Sequence, residues 1–166
     1  DTHLAIYHQD GRNRVEDIVK EMTNTGDKKL YDCVINDSFS DYTVPFHLTT
    51  KEFVEKINEI LSPRGIYMCN TIDCLTYAHF LTTIYKTCQE VFPYLYVFYT
   101  TNDPTSRDTI IIVSSKQELQ PEEVKNWVVE QYGVNAYYLP DEKIKELIAK
   151  INPKSSQTDM HLWKIF

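Results

Sequence analysis

The segment Tyr31-Asp32-Cys33-Val34-Ile35-Asn36-Asp37-Ser38-Phe39-Ser40-Asp41 decides how this chain is read. Its first half is apolar and β-branched at the centre, as in a buried strand, and its second half is a polar cluster that empties the strand into a loop. Downstream, Thr49-Thr50-Lys51-Glu52 matches a T-x-x-E capping box. The helix it opens places Phe53, Ile57, Ile60 and Leu61 on one side, and Ser62-Pro63-Arg64-Gly65 stops it. Ile66 to Thr71 is the next strand, followed by a helix over about Leu75 to Val91 with Leu81, Ile84, Tyr85 and Cys88 inward and Pro93 closing it. Tyr94–Tyr99 and Thr109–Ser114 are two more strands, joined by a loop too long for a tight hairpin turn.

Pro121 occupies a first helical position, Val124, Trp127, Val128 and Gln131 run along that helix, and Gly133 ends it. A last helix, from about Asp141 to Ile151, is bounded by Pro140 and Pro153. Upstream of the deciding segment, Leu4–His8 reads as a short strand ended by the turn Asp10-Gly11-Arg12. From Arg14 to Met22, Val15, Ile18, Val19 and Met22 share one helical face. Strands alternating with helices define an α/β protein with an open sheet and helices on both faces. Ligands of such sheets sit at the carboxyl ends of the strands, so Asp10–Arg12, Asp37–Pro45 and Thr71–Cys74 are the loops of interest, each with an aspartate.

The whole composition agrees with one such domain: 166 residues, 42% hydrophobic and 25% charged. A net charge of -7 lacks the basic surplus that neutralises a nucleic-acid backbone, so no nucleic-acid partner is expected. No apolar run reaches the roughly 18–20 residues of a membrane span, and the first residues do not read as a signal peptide. Cys33, Cys69, Cys74 and Cys88 form no C-x-x-C pair and suit a reducing, cytoplasmic setting, with Cys69 and Cys74 read as buried thiols. Gly11, Gly26, Gly65 and Gly133 are isolated, so the chain contains no glycine-rich phosphate loop.

Residue chemistry alone leaves alternatives open. Asp10 before Gly11 is a common turn former. Asp37, Ser38, Ser40 and Asp41 read equally as a solvated loop capping the next helix, His47 as a loop residue, and Asp73 as the cap of the following helix. The order and spacing of several short motifs add to this. The deciding segment, then Pro45, His47-Leu48-Thr49 and Glu52-Phe53, then Leu61-Ser62-Pro63-Arg64-Gly65-Ile66 and Val91-Phe92-Pro93, together resemble the spermidine synthase (aminopropyltransferase) family. The likeness runs from about residue 4 to about residue 116.

This resemblance implies the Rossmann-like fold of class I S-adenosylmethionine-dependent methyltransferases, strand order 3-2-1-4-5-7-6, entered here at the third strand with the first two absent. Residues 1–152 would then be the carboxyl-terminal part of a catalytic domain and 153–166 a tail, with little turnover expected of the chain alone. It implies transfer of an aminopropyl group from decarboxylated S-adenosylmethionine, a co-substrate rather than a prosthetic group, to a polyamine such as putrescine. Asp10, with the Gly11 backbone, resembles the residues that hydrogen-bond the adenine amino group. Asp37 resembles the catalytic aspartate. The family's second aspartate falls at Ser40 while the acid here is Asp41, so Ser40 and Asp41 are the candidates for polyamine binding, with Tyr42 and Tyr99 for contacts to an aliphatic diamine.

The chemistry suits a carboxylate at Asp37. A diamine arrives protonated, with a pKa near about 10.4, and its nitrogen attacks the carbon beside a sulfonium only after losing that proton. A carboxylate at a strand end attracts the ammonium, accepts the proton and holds the nitrogen in line. The sulfonium is itself the electrophile, so no metal is needed. The rival readings are a methyltransferase of the same fold and a non-catalytic remnant. Cys33–Asn36 is expected to pair with Ile66–Thr71 on one side, and on the other with Leu4–His8 or with a second copy through an exposed sheet edge.

Overall fold

The computed structural model describes residues 4–28, 30–38 and 45–151. One sheet of five strands organises them, in the order β1-β2-β4-β3-β5. The strands are β1 (Tyr31–Asn36), β2 (Leu61–Asp73), β3 (Tyr94–Tyr99), β4 (Asp108–Ser115) and β5 (Tyr137–Leu139). β1 and β2 are parallel, whereas β4 lies antiparallel between β2 and β3. With β1 as the fourth strand, this is the 4-5-7-6 order that the resemblance implies, and β5 extends it antiparallel to β3.

The core lies on one face of the sheet, and the two periodicities of the sequence meet there. Along β2, Tyr67, Cys69 and Thr71 alternate into it; Val97, Ile110 and Ile112 continue the layer on β3 and β4. Facing them are α2 (Lys51–Ile60), with Phe53, Val54, Ile57 and Ile60, and α3 (His79–Gln89), with Leu81, Ile84, Tyr85 and Cys88. Each large side chain so buried contributes roughly 1.5–3 kcal/mol of transfer free energy. Val15 and Ile18 of α1 (Gly11–Thr25) and Ile144 of α5 (Asp141–Lys150) close the same core.

The opposite face is covered unevenly. Near β3, Tyr96 and Val113 are buried and the Leu119 amide donates to the Tyr96 hydroxyl, drawing in the connection to α4 (Pro121–Tyr132). At β1 the face is open, with Ile35 65% exposed and Cys33 exposed. Helices thus cover the two faces less equally than the alternating grammar predicts.

Cys33–Asn36 pairs with Ile66–Cys69, as expected. Leu4–His8, however, forms no strand: Leu4 is 83% and Ile6 72% exposed, and no described residue pairs with them. An apolar run of five residues offsets its ordering entropy only when a neighbouring strand takes its hydrogen bonds, and none among the described residues does so. The other edge of β1 is likewise unpaired among the described residues.

Smaller departures have local causes. The cap of α2 is Thr50 and not Thr49, accepting from the Phe53 amide while Thr49 donates to the Phe46 carbonyl. The helix ends at Ile60, and Ser62–Gly65 forms a bulge inside β2: Tyr31 pairs with Leu61 but Cys33 with Ile66. Gly65 is required there, since a Cβ would lie 2.8 Å from the Tyr31 carbonyl oxygen. α3 begins at His79, four residues later than read, behind a turn whose Ala78 is left-handed (φ 48°). Cys69 and Cys88 are buried, but Cys74 is only half-buried, its thiol on the Pro104 and Thr105 carbonyls. Among the described residues, no helix is long and apolar enough to cross a membrane.

Candidate functional site

Asp10 caps α1. Its carboxylate accepts from the Arg12 amide at 2.9 Å and the Asn13 amide at 3.2 Å, so the Asp-Gly turn read from the sequence is also a helix start. Gly11, beside it, is the first helical residue and is exposed. The second carboxylate oxygen lies 2.8 Å from Nε2 of His47, which stands in a short 3-10 turn, Phe46–Leu48. The His47 hydrogen bond and then the Asn13 amide hold the Asp10 carboxyl below its ordinary value.

The same turn reaches the end of β1. Asn36, the last residue of the strand, is buried and donates its amide to the Leu48 carbonyl (3.1 Å) and to the Tyr67 hydroxyl (3.0 Å). Burial, followed by the nearby Cys69 and Cys88 thiols, pushes the Tyr67 phenol well above its ordinary value, so it remains a neutral acceptor for Asn36. Ser38 donates its hydroxyl to the side-chain amide oxygen of Asn36 at 2.6 Å. Asp37 projects from this fixed end, exposed, and accepts from the Asn70 amide of β2 at 2.7 Å. The side-chain oxygen of Asn70 is buried without a hydrogen-bond partner.

Asp10 and Asp37 therefore flank one turn: His47 contacts the first, and Leu48 fixes the residue preceding the second. Arg12 fastens the turn from the helix side, donating to the His47 carbonyl (3.0 Å) and the Thr50 hydroxyl (3.2 Å). This is the carboxyl end of the parallel strands. Ser40, Asp41 and Tyr42 lie outside the described residues. Tyr99 is elsewhere, stacked on Tyr137 at 5.2 Å on the other side of the sheet order. Asp73 serves α3 instead of a ligand, accepting from the Cys74 and Leu81 amides at 2.7 and 2.8 Å.

Sequence reading assigned no role to Asn36, Tyr67 or Asn70 and treated His47 as a loop residue. The only signal for Asn70 is a polar side chain inside an apolar strand, and the contact of His47 spans 37 positions. A cleft of about 450 Å³ lies away from all of these, among Tyr85, Tyr94, Tyr96, Tyr138, Glu118 and Asp141 at the amino end of β3. It shares no residue with the group formed by Asp10, His47, Asp37 and Asn70.

The α/β sheet with acidic groups at the carboxyl ends of its strands defines a Rossmann-like domain of the class I methyltransferase type. The spermine/spermidine synthase domain matches residues 1–126, and the chain belongs to that family. Among solved structures it is similar to a probable spermidine synthase from Corynebacterium glutamicum, at 21% identity and a TM-score of 0.67, covering 87% of this chain and 51% of that one. Spermidine synthase from Thermotoga maritima is similar at 18% identity and a TM-score of 0.54, covering 95% of this chain and 50% of that one. Human methyltransferase-like protein 13, solved in complex with SAH, is similar at 18% identity and a TM-score of 0.55, covering 89% of this chain and 60% of that one. At these identities the likeness shows the shared fold. No curated protein sequence matches the chain.

Proposed function

We propose that the chain carries the amine-activating and adenine-reading part of an aminopropyltransferase, acting on decarboxylated S-adenosylmethionine and a polyamine such as putrescine. The observation that carries this reading is the placement of Asp10 and Asp37 on either side of the Phe46–Leu48 turn, at the strand ends where such sheets bind ligands. Family membership supplies the reaction class. Asp10 fits the adenine end, since its exposed carboxylate retains lone pairs to accept from an exocyclic amino group beside the Gly11 backbone.

Asp37 is the proposed base. Its carboxylate takes a proton from the ammonium; the freed nitrogen pair forms the new C–N bond as the carbon–sulfur bond breaks, and methylthioadenosine leaves with the sulfur electron pair. The Asn70 hydrogen bond orients the carboxylate while leaving acceptor capacity on both of its oxygens. Ser40 and Asp41 remain proposed polyamine contacts, and the open β1 edge, with Ile35 and Cys33 exposed, a proposed contact with a second copy.

In the active enzyme, Asp37→Asn is expected to keep fold and nucleoside binding while lowering methylthioadenosine formation by about 10²-fold or more. If Asp37→Asn retained turnover and Asp41→Asn abolished it, the base would be Asp41. Putrescine-independent formation of S-adenosylhomocysteine from S-adenosylmethionine would instead favour the methyltransferase reading.

A further inference from the structure

We propose that His47 is a positioning residue for Asp10: it fixes the carboxylate that receives the nucleoside and links that carboxylate mechanically to the strand end bearing Asp37. The proposal rests on the nucleoside role given to Asp10 above, and it adds a residue to which neither the family resemblance nor the sequence pattern assigns a task.

Capping α1 uses the oxygen of Asp10 that faces the Arg12 and Asn13 amides. One oxygen held in this way leaves the carboxylate free to swing about its side-chain torsions, because the group is exposed on the molecule's surface. The contact of His47 Nε2 with the second oxygen, at 2.8 Å, removes that freedom and sets the plane of the carboxylate. His47 can do this because its own placement is over-determined. Its backbone carbonyl is held by the Arg12 guanidinium, the Phe46 ring meets its imidazole edge-on at 5.7 Å, and the next residue, Leu48, is buried and receives the Asn36 amide.

The Arg12 guanidinium also engages Glu16 and Thr50, so it braces the turn without contacting Asp10 through its side chain. The result is a connected path from Asp10 to Asn36, one residue from Asp37: a hydrogen bond to His47, the peptide link to Leu48, and a hydrogen bond from the Asn36 amide. A group that acts only on the stability of the turn would leave the Asp10 carboxylate, and the affinity it confers, unchanged. A positioning group alters both.

The test uses the 166-residue chain, with 5′-methylthioadenosine as the probe and the Asp10 side-chain carboxyl followed by carbon-detected NMR titration. In the unsubstituted chain the carboxyl is expected to titrate below the ordinary aspartate range. His47→Ala is expected to move it upward and to weaken methylthioadenosine binding by roughly 5- to 20-fold, the order of one lost hydrogen bond. His47→Gln, whose amide can donate to the same oxygen, should restore most of both. Saturable binding that His47→Ala leaves within twofold, or an Asp10 titration that does not respond, would overturn the proposal alone. No saturable binding by the unsubstituted chain would overturn the nucleoside role of Asp10 and the proposal with it.

Discussion

Aspartates carry most of the information at the residue scale, and environment separates their tasks. Asp73 satisfies two backbone amides ahead of and within the first turn of α3, where the capping position is an alanine, Ala78, that has no side-chain acceptor to offer. Asp73→Ala is therefore expected to cost about 1–2 kcal/mol in urea unfolding, with nucleoside binding unchanged. Asp10 and Asp37 differ from it in being exposed at the sheet's carboxyl end with capacity left for a ligand. Asp37 and Asp10 were legible in the sequence because each follows an apolar run. Their supports were not: the Asp10–His47 pair spans 37 residues and the Asp37–Asn70 pair 33, separations at which contact is decided by how the strands and helices pack.

Elements were legible where one face of a helix or strand is buried. The spacing of Phe53, Ile57 and Ile60, and of Leu81, Ile84, Tyr85 and Cys88, read as core faces and are core faces, because a 3.6-residue period leaves no other face apolar. β5, three residues long and bounded by Pro140, carries too little pattern to be read; its pairing with β3 supplies what its own sequence lacks. In sequence, Ser62-Pro63-Arg64-Gly65 reads only as a helix stop, since the geometry of the bulge depends on Tyr31 lying alongside. Gly65→Ala must push a Cβ against the Tyr31 carbonyl, and a destabilisation of about 2 kcal/mol with a normal helical signature is the expected outcome by circular dichroism and denaturant titration.

The β3–β4 connection supplies the pH-dependent element. Burial alone would raise the Asp108 carboxyl, but hydrogen bonds from the Thr100 hydroxyl and from the Thr101 and Thr100 amides outweigh it and leave the group below its ordinary 3.8. A carboxyl whose folded value is depressed contributes stability that is complete above about pH 4 and is lost as the pH falls through the folded value. Asp108→Asn should accordingly lower stability at neutral pH by roughly 1–3 kcal/mol and flatten the decline below about pH 4, as read from thermal midpoints across pH.

For the whole molecule, the sheet order β1-β2-β4-β3 follows from the family grammar, while the uneven cover of its faces does not. Leu4–His8 read as a strand because its residues are strand formers; strand structure also needs a partner, and pairing is a property of the assembled sheet. The unpaired edge of β1, with Ile35 65% exposed, predicts concentration-dependent self-association in sedimentation velocity. Ile35→Lys should shift the equilibrium toward monomer, and a chain that stays monomeric at every concentration would show that this edge needs no cover.

The central claim is that the nucleoside binds at the carboxyl end of the parallel strands, between Asp10 and Asp37. Backbone amide shifts of the chain titrated with 5′-methylthioadenosine test it most directly. The account predicts saturable changes at Gly11, Arg12, Asp37, Ser38, His47 and Asn70, with the tyrosine cleft at Tyr85, Tyr94 and Tyr138 unmoved. Changes confined to that cleft, or no saturable change at the strand ends, would contradict it.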